Sequence, residues 1–204
     1  MKKCIISIGR EFGSGGRRIG QLLAEELNIP CYDRKLIEEA SECSGIEKEQ
    51  LEKADEMTVN RLLYSIPGTA NKYTGYGKPM TDTLFVIQSE LIKKYAAQGS
   101  CVIIGRCADK VLEGNPDLLT VFIHASREAR VSELMKRYDT DSVEAAYLMK
   151  QVDKARRHYY NYYSKKKWGD KSSYDLIIDS SHLSLNEAVN VILETVKARM
   201  EEKK

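Results

Sequence analysis

Gly13-Ser14-Gly15-Gly16 stands between an apolar run, Cys4-Ile5-Ile6-Ser7-Ile8, and an amphipathic stretch that ends at Leu27, with Arg10 before it and Arg17-Arg18 directly after it. A strand that passes through glycines into a helix aims backbone N–H groups and the helix dipole at one spot, and fixed positive charge beside that spot favours phosphate. Gly13, Ser14, Gly15, Gly16, Arg17 and Arg18 are therefore candidate phosphate-binding residues. Two cations on the first turn of a helix oppose its dipole unless an anion lies between them. The alternative is a plain glycine turn with both arginines in solvent. A standard loop of this kind reads G-x-x-x-x-G-K-[ST], its lysine reaching the β/γ-phosphates and its hydroxyl ligating magnesium. No register here supplies Lys before Ser or Thr: with Gly15 as the last loop glycine, Gly16 stands in the lysine's place, and with Gly16 as the last, Arg17 does.

Asp33 closes a short run, Cys31-Tyr32, beside Arg34. A carboxylate there could hold magnesium, orient a nucleotide or accept a proton from an attacking phosphate oxygen, or it could cap the following helix. Arg106 follows the apolar run Cys101 to Ile104 and Gly105, where a guanidinium can grip phosphate in a bidentate way; a structural pair with Asp109 is the other reading. Arg127, Arg130 and Arg137 occupy one helical stretch, and Asp153, Arg156 and Arg157 the next. Two such helices could form a lid that closes on phosphates and stabilises charge during transfer, or they could be solvated faces with ion pairs three residues apart. Tyr159 to Trp168 interleaves tyrosines with lysines, a pattern that stacks bases or packs a helix against the body. No histidine or cysteine constellation suggests metal hydrolysis or a thiol nucleophile.

The elements that must position these residues follow from the patterning. Short apolar runs alternate with longer periodic ones, as in a parallel sheet with helices on both faces. Strands are predicted at Cys4 to Ile8, Cys31 to Asp33, Cys101 to Ile104, Leu118 to Ile123 and Leu176 to Ile178. Helices are predicted from the glycine loop to Leu27, at Lys35 to Cys43, Glu47 to Tyr64, Leu84 to Ala97 and Arg127 to Tyr138, then from Asp141, and from Ser184 to the charged tail. Capping boxes are expected at Asp141 with Glu144 and at Ser184 with Glu187, and the stretch from Ile66 to Pro79 reads as an exposed glycine- and proline-rich loop. The candidate residues fall just beyond strand C-terminal ends, where open α/β sheets bind ligands.

The chain has 204 residues and carries Lys+Arg 32 against Asp+Glu 30, a formal charge of +2. That balance argues against binding nucleic acid through the overall field, so any basic site must be local. Five cysteines in scattered positions read as reduced thiols rather than disulfides or zinc ligands. No run approaches the length of a membrane span, and a soluble cytoplasmic protein of one α/β domain over residues 1–204 is expected.

Taken together, Ile8-Gly9-Arg10-Glu11-Phe12-Gly13-Ser14-Gly15-Gly16-Arg17, Tyr32-Asp33-Arg34, Ile104-Gly105-Arg106 and Lys165-Lys166-Lys167-Trp168-Gly169-Asp170 resemble the cytidylate-kinase-like family across essentially the whole chain. The resemblance implies a P-loop nucleoside monophosphate kinase fold, with 35–98 as a candidate monophosphate-binding insertion and 126–172 as a candidate lid. It implies transfer of the γ-phosphoryl of ATP, with Mg²⁺, to CMP or dCMP. Arg106 would then grip the acceptor phosphate, Asp33 would match the aspartate at the second strand end, and Asp153 and Arg156 would recognise the acceptor. On that reading Arg17 or Arg18 supplies the lysine's missing charge, and Arg130, Arg137 and Arg156 close over the transfer. The chain departs from the family pattern at the absent lysine, at Cys107 where G-R-D has aspartate, and in the Tyr- and Lys-rich insertion. A catalytically weak nucleotide- or anion-sensing protein on the same fold is the alternative, and a nucleic-acid-binding module the third reading. Nucleotides are the expected partners, with no membrane.

Overall fold

The first apolar run forms a central strand because each of its faces is covered. In the computed structural model, which describes residues 3–33, 35–46 and 80–202, β1 (Ile5–Arg10) pairs in parallel with β3 (Cys101–Ile104) on one side and β4 (Leu118–His124) on the other. β2 (Cys31–Tyr32) adds to β3, and β5 (Leu176–Asp179) adds to β4. The sheet order is β2-β3-β1-β4-β5. Ile5, Ile6, Ile8, Ile103 and Ile104 are fully buried, as expected of parallel strands that read as continuous apolar runs.

Successive residues of β1 serve opposite layers. Ile6 and Ile8 pack with Ile19 and Leu23 of α1 (Gly16–Leu27) and with Val189 and Ile192 of α7 (Leu185–Glu202). Ile5 packs with Leu91, Ile92 and Tyr95 of α3 (Met80–Gln98), with Ala40 of α2 (Lys35–Ser44) and with Ala108 of α4 (Ala108–Val111). The result is a three-layer α/β arrangement with five parallel strands. Gly20 brings α1 close to the sheet: a Cβ there would lie 3.0 Å from the δ-methyls of Ile8 and Ile104.

The segment from β4 to β5 contains α5 (Arg127–Tyr138) and the long α6 (Ser142–Ser164). Leu134, Ala145 and Met149 form a small core between them that also takes Phe12 of the glycine loop. Asp141 caps α6 by accepting from Val143 N and Glu144 N at 2.8 and 2.9 Å. Glu144 takes the Thr140 hydroxyl at 2.6 Å, so the expected box there has only its capping half. At α7 both halves form, Ser184 N donating to Glu187 at 2.7 Å and Glu187 N to Ser184 Oγ at 3.2 Å. The helix expected from Glu47 and the loop expected from Ile66 to Pro79 lie outside the described residues, as do Arg34 and the side chain of Cys43.

Candidate active site

The glycine loop leaves β1 at Gly9 and is braced from three directions. Ser14 Oγ donates to Glu11 O at 2.9 Å, and Ser180 Oγ, just past β5, donates to Ser14 O at 2.8 Å. Asp153 of α6 accepts from Phe12 N at 2.8 Å and also forms a buried ion pair with Arg130 of α5. Arg130 reaches Phe12 O at 3.4 Å and Glu11 Oε2 at 3.4 Å, and Arg156 Nη1 donates to Arg10 O at 3.1 Å. The outward carbonyls of Arg10, Glu11, Phe12 and Ser14 are thereby tied off. Gly15, at φ 76°, then starts α1 without any side-chain cap, which leaves the positive end of the helix facing the cavity above the loop.

That cavity measures about 270 Å³, and Arg10, Arg17, Arg106, Arg137 and Arg156 are among the residues that line it. Arg17 Nε lies 2.6 Å from Asp33, so one carboxylate answers several guanidiniums. Burial lowers the Arg10 pKa well below its ordinary value; Arg156, Arg106 and Arg17 push the same way, and Asp33 opposes them. Arg156 is pushed down to about 10, again mainly by burial, with Asp153 opposing and Arg106 adding to the shift. Like charges held together out of water are unfavourable until an anion joins them. Arg106 is aimed into this cluster by an unusual backbone. Gly105, Arg106 and Cys107 have φ of 76°, 58° and 53°, three successive left-handed residues, and each non-glycine there costs about 1–2 kcal/mol. Such strain persists where the surrounding structure enforces it.

The same cavity is also lined by aromatic side chains, Tyr159, Tyr160, Trp168 and Tyr174, together with Asp109. Tyr160 donates to Asp109 Oδ2 at 2.6 Å. Burial holds the Asp109 carboxyl above the usual carboxylate range, partly offset by that hydrogen bond. Phe122 supports this wall through Trp168 and Tyr174, with ring centroids at 5.3 and 4.9 Å. The Tyr-rich stretch therefore packs against the body and supplies a wall of the cavity.

The residues expected from sequence separate into three groups. Gly13, Gly15, Gly16, Arg17, Asp33, Arg106, Arg137 and Arg156 line the cavity, with Ser14 buried in the loop's own bracing. Arg18 is exposed and lines a shallow cleft with Asn28 and Cys31, away from the loop's cavity. Arg130 and Asp153 are buried beneath Phe12, engage each other and are not among the residues that line the cavity. In this structure the two hold the loop. Arg10, expected as charge beside the loop, lines the cavity itself, as do Asp109, named in sequence only as a structural partner for Arg106, and Tyr159, of the stretch read as packing or base-stacking.

The chain matches the cytidylate kinase-like family over residues 5–182. It belongs to that family. A cytidylate kinase of Methanocaldococcus jannaschii is 27% identical over 195 residues, covering 94% of this chain and 97% of its relative. An uncharacterized protein from Eubacterium ventriosum, solved by crystallography, superimposes with a TM-score of 0.72 at 29% identity, covering 96% of this chain and 99% of the other. A gluconokinase from Sinorhizobium meliloti shares the fold with a TM-score of 0.57 at 17% identity, covering 98% and 95%. This cytidylate kinase-like chain thus has the P-loop kinase fold, built on a loop with no lysine before Ser or Thr in either register. Among the described residues no helix is long and apolar enough to cross a membrane.

Proposed function

We propose that this chain is a cytoplasmic nucleotide kinase that transfers the γ-phosphoryl of ATP to a nucleoside monophosphate, CMP or dCMP. The observation that carries this reading is the set of arginines from β1, α1, the β3 end and α6 converging on one glycine-loop cavity with Asp33 among them. An acceptor phosphate oxygen attacks the γ-phosphorus, the bond to the β,γ-bridging oxygen breaks, and ADP leaves. Catalysis of that step rests on positioning and charge neutralisation, which guanidiniums held at fixed places supply. Gly13, Gly15 and Gly16 cradle the donor phosphates, Asp33 and Arg106 position the acceptor, and Arg137 and Arg156 face the transferring group from the α5–α6 side.

Magnesium fits this site as a companion of the nucleotide. Among the described residues no three His, Cys, Asp or Glu side chains gather as a metal cluster. Mg²⁺ is ordinarily held by one or two carboxylates with the substrate phosphates and water, and Asp33 is the carboxylate in place to share it. The ion supplies charge neutralisation at the phosphates. Residues 35–98 serve as the monophosphate-binding insertion and 126–172 as the lid.

A second reading, nucleotide sensing on the same fold, is favoured by one observation, the absent loop lysine. A panel assay separates the two: purified protein, ATP and Mg²⁺, each common nucleoside monophosphate in turn, with diphosphate product measured directly. Turnover highest with CMP or dCMP is the expected result. ATP binding without turnover of any monophosphate would replace the kinase reading with the sensing one.

A further inference from the structure

We propose that Arg10, seated in a slot cleared by Gly16 and Gly105, is the cation that takes the place of the absent loop lysine and contacts the donor phosphates. This rests on the kinase reading for its catalytic consequence, while the anion contact stands on geometry alone. A Cβ built at Gly16 would lie 2.6 Å from Arg10 Cβ and 3.2 Å from its Cγ. A side chain at position 16, the lysine's place when Gly15 ends the loop, therefore cannot coexist with the Arg10 stem as placed. At the other end of the stem a Cβ at Gly105 would overlap Arg10 Nη1 and come within 3.1 Å of Cζ. Glycine at two positions far apart in the chain makes room for one guanidinium, which lines the cavity beside the loop.

Of the other cations that line the cavity, Arg106 is the one assigned above to the acceptor, and the rest have partners in the structure. Arg17 is bound to Asp33 at 2.6 Å, Arg137 to Glu133 at 2.6 Å, and Arg156 to the backbone of Arg10 at 3.1 Å with its guanidinium 5.4 Å from the Phe12 ring centroid. Arg18 lies in the separate cleft. Arg10 Nε is buried and has no hydrogen-bond partner among the described residues. A guanidinium left with a buried, unused donor and other cations around it costs stability in the empty protein, and two adjacent phosphoryl groups would satisfy it with charge-assisted hydrogen bonds.

The test compares the parent with Arg10→Gln and Arg10→Lys, using pyrophosphate as the stand-in for the β,γ-phosphates. Calorimetric titration should show Arg10→Gln binding pyrophosphate at least about tenfold more weakly, with Arg10→Lys intermediate. Thermal unfolding should place empty Arg10→Gln at or above the parent, because a repelled cation has gone; a purely structural Arg10 would instead lower it. In turnover, Arg10→Gln should lower kcat by about a hundredfold while leaving the acceptor KM within about threefold. If Arg10→Gln fails to fold, ¹⁵N spectra of the parent decide the matter: the Arg10 Nε–H signal, assigned by its loss in Arg10→Lys, should shift on adding pyrophosphate. Parental pyrophosphate affinity in Arg10→Gln, or an unmoved Nε–H signal, overturns the proposal. If no monophosphate is turned over by the parent, the kinase reading fails and the pyrophosphate measurements still judge Arg10.

Discussion

Buried charge in this protein divides into pairs that hold the loop and charges that wait for a partner. Arg130 and Asp153 satisfy each other beneath Phe12, whereas Arg10 and Arg156 are held with lowered pKa values chiefly by burial. Asp109 is a third case, a buried carboxyl whose pKa is raised by burial against the pull of the Tyr160 hydroxyl. A folded-state pKa above the unfolded value of about 3.9 means that the folded chain holds the proton more tightly. Its contribution to stability is then fully present below the unfolded pKa and is lost as pH rises through the raised folded pKa. Asp109→Asn keeps an acceptor for Tyr160 and removes the charge. The variant should therefore gain over the parent at pH 7, on the order of 1 kcal/mol or about 2–4 °C in Tm, and gain less at pH 4. Melting curves at the two pH values check this, and an equal gain at both would show that the carboxyl does not titrate in that window.

Glycines and caps determine how each element meets its neighbour. Gly13 has φ 84°, and a Cβ there would approach Arg130 O at 2.9 Å, a backbone atom that cannot swing aside. Gly13→Ala should therefore lose the left-handed conformation's glycine advantage, about 1–2 kcal/mol, and add an overpacking cost of about 1–3 kcal/mol. Urea unfolding should show a lower midpoint with an unchanged m-value, together with weaker ATP binding because the loop shifts away from α5. Unchanged stability would mean that α5 yields to the loop. At the other end of the chain, Ser184 and Glu187 close their box as the sequence pattern implies, because both partners lie within one turn of the same helix. The box at Asp141 forms only its capping half because Thr140 supplies a hydroxyl that competes for Glu144.

At the scale of the whole molecule, the order β2-β3-β1-β4-β5 places β1 in the middle, so the ends of β1 and β3 and the loop after β2 open into one cavity. An anion that binds there links the layers and stabilises only the folded state. ATP at about a hundred times its dissociation constant should add roughly 2.7 kcal/mol, which for a chain of this length is about 5–10 °C in Tm. Sodium chloride at matched ionic strength should not reproduce the rise, since screening acts on exposed charges. Equal shifts from both would mean that the arginine cluster has no specific site for phosphate.

The strands, the helix starts at the glycine loop and at Arg127, and the gathering of Asp33 and Arg106 at strand ends were legible in the sequence. Each follows from local physics: apolar runs, glycine's access to left-handed backbone, and side chains that cap their own helix. Which arginine faces phosphate was not legible. Arg17 and Arg18 are neighbours in sequence, yet one meets Asp33 and the other lines a separate cleft, because successive helical residues point about 100° apart and packing against the sheet decides which of them faces in. That Arg130 and Asp153 brace the loop shows only once α6 is placed against Phe12, a contact across 141 residues. The slot for Arg10 needs Gly16 at one end of its side chain and Gly105 at the other, and the parallel pairing of β1 with β3 brings the Gly105 end there. Contacts between segments distant in sequence leave no periodic trace in either segment, so tertiary structure alone distinguishes the loop's supports from the residues that face a ligand.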